Sequence, residues 1–374
     1  MTRAPEPDSV RPFPLARRGL AVIAPVIAYA SLRPFHDWRD PGRHAFAYLT
    51  AATEFGSPFD ALLNIVGYLL LAFCLTLALF PRIRGRRALL IGTLGPAACS
   101  VAVEAIQTYL PGRFPSRVDV AMNTFGALLG AALAVWLTPW LMDHRGGRRL
   151  RQRWLTSGHA TEFGLLVLAA WFVAMFAQRT ILFGTGDLRG NLEVTVDWSV
   201  HPTVYGVSEV FVIVANLAAA GIVLRLVLAD QVVRVVRVGW VLALVAASLL
   251  ARVIAQLAFW RAGAVWQWIT PATPIGLAGG ALLAWFMLGW SRRTAAITAL
   301  ALLAAGVIVV NLTPPDPALW LQPHAPRERV LIALALVARY AAKAWPFAAI
   351  AFLALASRAP GPRQAANTQE PRPP

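Results

Sequence analysis

Runs of apolar residues long enough to cross a bilayer recur throughout this chain, and they constrain its fold more than any other feature. A crossing helix needs about 20 apolar residues. Ten stretches approach that length: 19–35, 60–80, 88–109, 118–140, 162–182, 204–229, 238–259, 270–290, 294–312 and 330–357. Hydrophobic residues make up 58% of the 374, charged residues only 14%, and the mean hydropathy is +0.59. Soluble domains usually carry about 25% charge, and disorder requires low hydrophobicity. Both classes are excluded. Backbone in hydrocarbon must satisfy its own hydrogen bonds. The sequence therefore predicts an all-α, polytopic integral membrane bundle of about ten transmembrane helices.

Basic residues orient it. The net charge is +16, and Lys343 is the single lysine among 34 basic residues. With both termini cytoplasmic, inside segments carry 21 of them and outside loops 10, residues at span ends being counted with the adjoining loop. That bias follows the positive-inside rule. It explains the charge without nucleic acid, for which no soluble basic module exists. The membrane expected is the inner (cytoplasmic) one. The first run is short and ends in Ala28-Tyr29-Ala30, as a secretory signal would; an uncleaved span is the reading adopted. Cys74 and Cys99 lie in apolar runs and define neither a disulfide framework nor a metal site. The six histidines are scattered, so no metal is expected.

Polar groups at the span ends carry the functional reading, because acids in hydrocarbon are costly. Asp60 and Asn64 open the second span at i, i+4, a spacing that shares one helix face; Gly67 follows. Glu104 and Gln107 close the third. Asp119, Asn123, Gly126 and Gly130 open the fourth, with the glycine pair suited to close helix packing. Arg113, Ser116 and Arg117 lie in the short loop between the third and fourth spans. Topology brings these residues to one extracytoplasmic membrane face. Capping by Asp119, an ion pair between Glu104 and Arg113, and helix-bridging amides are the structural alternatives.

This pattern resembles the VanZ family. Asp60-x-x-x-Asn64, Glu104-x-x-Gln107, Arg113, Ser116, Asp119-x-x-x-Asn123-x-x-Gly126 and Gly130 carry the resemblance, over about residues 15–140. It implies a four-helix membrane domain and a link to glycopeptide (teicoplanin) resistance. Beyond it the sequence predicts a cytoplasmic basic loop at 141–160, a six-helix membrane domain at 161–357 and a disordered cytoplasmic tail at 358–374.

Ionisable groups inside spans are functional candidates. In the rear half these are Glu209, Arg252, Arg339 and Lys343. Glu209 is expected to neutralise Arg252. Arg252, Arg339 and Lys343 form a candidate anion site for a lipid phosphate, snorkelling being the alternative. Gly276-x-x-x-Gly280 echoes Gly126-x-x-x-Gly130, and Glu209 to Gln256 repeats the spacing of Asp60 to Gln107, which hints at duplication. No Gly-rich phosphate loop, zinc helix or nucleophile elbow occurs, and no cofactor is expected. The leading functional expectation is an envelope protein that binds or moves an amphipathic or lipid-linked ligand, with membrane lipids, a lipid-linked precursor or a lipoglycopeptide as partners. The alternatives are an intramembrane enzyme acting through Asp60, Glu104 and Asp119, and a proton-coupled transporter.

Overall fold

The computed structural model describes residues 14–32, 35–50, 58–110, 113–142, 152–156, 158–177, 180–189, 202–259, 266, 268–313 and 329–358. Among them are ten α-helices of 16 residues or more: α1 Pro14–Leu32, α2 Pro58–Leu79, α3 Gly85–Gln107, α4 Arg117–Met142, α5 His159–Ala174, α6 Pro202–Val227, α7 Arg234–Phe259, α8 Ala272–Met287, α9 Arg292–Leu312 and α10 Arg329–Arg358. No strand occurs among the described residues. Eight of the helices are long and apolar enough to cross a membrane; α5 and α8 are shorter apolar helices. The chain is a multi-pass helical membrane protein. Half of the expected basic loop, and nearly all of the expected tail, lie outside the described residues.

Local chemistry sets the helix ends. Proline opens α1, α2 and α6, where its missing N–H costs nothing. The Ser291 side chain caps α9 by accepting from the Thr294 N–H, as N-cap serines do. Large apolar side chains are exposed in lines along helices, such as Leu62, Val66 and Leu70 on α2 and Leu90 and Leu94 on α3. Lipid rather than water is the solvent that suits such faces.

The chain divides into two compact units, residues 1–149 with 328–333, and 150–327 with 334–374. In the front unit α4 packs against α2 and α3. A Cβ on Gly126 would lie 2.2 Å from the Ile65 carbonyl oxygen, and one on Gly130 2.1 Å from that of Leu69. The α2 and α4 backbones therefore touch directly. Gly67 is different: a Cβ there meets only Ile27 Cδ1, at 4.0 Å, an ordinary contact. In the rear unit α8 packs on α6, with Gly276 against Ile213 and Gly280 against Leu217. Both units thus join the first and third helix of a triplet through a Gly-x-x-x-Gly pair.

The rear core surrounds α6, most of which is buried. Trp171 stacks within 4.6 Å of Trp345 and 4.9 Å of Phe183. Their indole N–H groups are satisfied, Trp171 by Ser248 Oγ at 2.8 Å and Trp345 by the Val167 carbonyl at 2.9 Å. The sequence predicts a fifth span over 162–182, but α5 ends at Ala174. Its 16 residues cover about 24 Å, short of a hydrocarbon core of about 30 Å. The following chain is irregular yet largely buried from Leu182 to Thr185. Irregular backbone at such depth persists only where protein satisfies it.

Here it is satisfied. Pro346 in α10 has no N–H, which leaves the Ala342 carbonyl without its helical donor; the Gly186 N–H supplies one at 2.9 Å. Gly186 has φ +83°, and a Cβ would lie 2.9 Å from both Pro346 Cγ and Val307 Cγ2, so only glycine fits. Asn311 acts like a strand partner: it accepts from the Leu188 N–H and donates to the Gly186 carbonyl, each at 2.8 Å. Arg189 clamps Asp187 through bonds of 3.0 and 2.7 Å and donates to the Thr313 carbonyl at 2.5 Å.

Burial opposes the Asp187 charge, but the Arg189 bonds and the nearby Lys343 outweigh it and hold the carboxyl below its ordinary range. A depressed carboxyl stabilises the fold above its unfolded pKa of about 3.9, and that contribution is lost as pH falls through the folded value. Thermal melts of wild type are expected to weaken in that acid window. Asp187→Asn should lie lower at neutral pH and show a smaller acid-dependent drop. Parallel curves for the two proteins would contradict this account.

Candidate functional site

The polar residues of the front unit gather at one end of α2, α3 and α4, and capping chemistry arranges them. Ser116 precedes α4, and its Oγ accepts from the Val118 N–H at 3.1 Å. In a capping box the acid three residues on, here Asp119, would reach back to the Ser116 N–H. That N–H instead donates to Glu104 Oε2 of α3, at 2.8 Å. Asp119 is turned toward α2, where it hydrogen-bonds Asn64 and feels the charge of Asp60. Glu104 in turn feels both Asp119 and Arg113. The three acids and one arginine form a single electrostatic cluster.

The cluster grades from closed to open. Glu104, at 3% exposed, and Asn123, at 4%, are buried, whereas Asp60, Asn64 and Asp119 are half-buried. Beneath it, Asn123 Nδ2 donates to Ser100 Oγ at 2.9 Å, and Tyr68 hydrogen-bonds the same serine. The Asn123 Oδ1 atom is buried with no protein partner. Tyr48, on the segment preceding α2, donates to the Val101 carbonyl at 3.2 Å. Burial, and then the Glu104 charge, push its phenol upward. Tyr48, Tyr68 and Ser100 were not singled out from sequence. Tyr68 lies one turn beyond Asn64, and Ser100 one turn before Glu104, so helical spacing pointed to both.

Two residues expected in the site also do structural work. Gln107 donates to the Ser31 carbonyl at 2.9 Å and Arg113 to that of Ala30 at 2.7 Å. Those carbonyls lie in the last turn of α1, which has no intrahelical donors for them. Arg117 is exposed at the rim. Among the described residues, no three acids, histidines or cysteines are placed to hold one metal ion.

The rear anion candidates sit in different surroundings. Arg252 is 3% exposed and donates to the carbonyls of Ala177 and Thr180, which follow α5. Glu209 does not neutralise it: Thr270 donates to Glu209 at 2.7 Å, at the start of α8. Arg339 is exposed, and Lys343 lies near Asp187.

No curated protein and no solved structure matches the chain significantly. Residues 13–138, a segment that takes in nearly all of α1–α4 and every member of the front cluster, match the VanZ/LLP1 family model, so the front unit carries a VanZ/LLP1-like domain.

Proposed function

We propose that the front unit binds the polar headgroup of an amphipathic or lipid-linked envelope ligand at the extracytoplasmic face of the cytoplasmic membrane, with both chain termini inside. One observation carries this reading. Glu104 takes over the cap that Asp119 would otherwise provide, and this leaves Asp119 facing Asp60 and Asn64 at the rim. A half-buried pair of carboxylates with an amide at interfacial depth accepts hydrogen bonds from hydroxyl and ammonium donors. The lipid-facing sides of α2 and α4 would hold an acyl or polyprenyl tail. Binding is favoured over an intramembrane enzyme because Glu104 is committed to a backbone N–H. Resemblance to the VanZ family adds a lipoglycopeptide such as teicoplanin to the ligands of this chemistry.

Native mass spectrometry of the full chain, extracted in mild detergent with and without added teicoplanin, tests the proposal. Wild type should retain a stoichiometric amphipathic species. Asp60→Asn with Asp119→Asn should lower its occupancy more than tenfold without altering the melting temperature greatly. Equal occupancy in both proteins would overturn the assignment.

A further inference from the structure

The rear unit holds a buried cation whose charge is only partly answered. Arg252 sits on α7 at 3% exposure. Two of its guanidinium nitrogens donate to the Ala177 and Thr180 carbonyls, the second at 2.7 Å. The third, Nε, is buried with no protein partner. Among the described residues no carboxylate forms an ion pair with it. A buried charge without a counter-charge is among the costliest groups a protein can hold, and two neutral carbonyls compensate only part of that.

Beside Arg252 lies a cavity of about 10 Å³, lined also by Met175, Thr180, Phe183 and Thr185. That is room for about one water-sized particle, and far too little for a phospholipid headgroup. The two hydroxyls differ. Thr185 Oγ1 is committed as a donor to Asn216 Oδ1 at 2.6 Å. Thr180 Oγ1 reaches the Ala177 carbonyl only at 3.5 Å, so its proton is available at little cost. Arg252, with its unpartnered N–H, and Thr180, with its loosely held O–H, therefore line one small space.

We infer that this cavity is a site for a chloride-sized monovalent anion, held by Arg252 Nε and the Thr180 hydroxyl. It closes the charge of Arg252 at the point where α5 gives way to irregular chain. The site is built from rear-unit residues alone and needs neither Arg339 nor Lys343.

The test is the melting temperature of the purified full chain as gluconate is exchanged for chloride at constant ionic strength. An anion that binds only the folded state raises stability with RT ln(1 + [L]/Kd). Wild type is expected to show a rise with half-saturation, and bromide should reproduce it. Thr180→Val should move half-saturation to at least several-fold higher chloride. Arg252→Gln should not respond. Should that variant fail to fold, bromide anomalous scattering from wild-type crystals reads the site directly. A wild type indifferent to chloride, a Thr180→Val curve superimposable on that of wild type, or crystals without bromide in this cavity would overturn the inference.

Discussion

Gly126→Val is expected to destabilise the front unit by about 3 kcal/mol or more, at the upper end of what overpacking a well-packed interior costs. The reason is the identity of the neighbour. A Cβ at this position would lie 2.2 Å from Ile65 O and 2.8 Å from Ile65 Cα. Backbone cannot rotate away as a side chain can, so α2 and α4 would have to separate. Gly130→Val should do the same through Leu69. The two effects should add to less than their sum, because one separation relieves both clashes. Gly67→Ala is the control, with its nearest contact at 4.0 Å; it should be neutral or mildly stabilising. Denaturant titration in detergent reads all three. A Gly126→Val protein as stable as wild type would mean that the two backbones do not touch.

Glu104→Ala carries the second large effect, a loss of about 2–3 kcal/mol, the cost of stranding a buried donor. The stranded group is the Ser116 N–H, and the start of α4 should fray with it. Glu104→Gln keeps an acceptor oxygen and should recover much of the loss. Hydrogen exchange at Ser116 and the neighbouring amides distinguishes this from a general weakening. Fast exchange confined to that turn in Glu104→Ala is the expected pattern; unchanged exchange there would remove Glu104 from the cap.

Much of this architecture could be read from sequence because a membrane helix is announced by composition over its whole length. Eight of the ten apolar runs correspond to helices long enough to cross a bilayer, and 270–290 yields the 16-residue α8. The remaining run, 162–182, departs furthest from its helix and could not be read correctly. What ends α5 at Ala174 is a set of partners far along the chain, among them Arg252 and Asn311, and no local residue signals them. The front acids were legible at i, i+4 spacing, whereas their division of labour was not. Whether Asp119 or Glu104 takes the Ser116 N–H depends on how α3 meets α4. The arginines show the same limit. Counted as charges they report orientation, yet several act as donors to carbonyls at or just beyond helix ends: Arg113 to Ala30, Arg225 to Met287 and Trp290, and Arg292 to Leu226. Counting cannot separate these roles.

The shortness of α5 also bears on how the protein is made. The long-range hydrogen-bond partners of the segment from Val167 to Arg189, among the described residues, are synthesised after it; they include Asn216, Ser248, Arg252, Asn311 and Trp345. A ribosome adds about 5–20 residues per second, so the 156 residues that follow Arg189 up to and including Trp345 keep this stretch waiting for roughly eight to thirty seconds. The contacts of α5 and of the chain that follows it are thus complete only once α10 has been made.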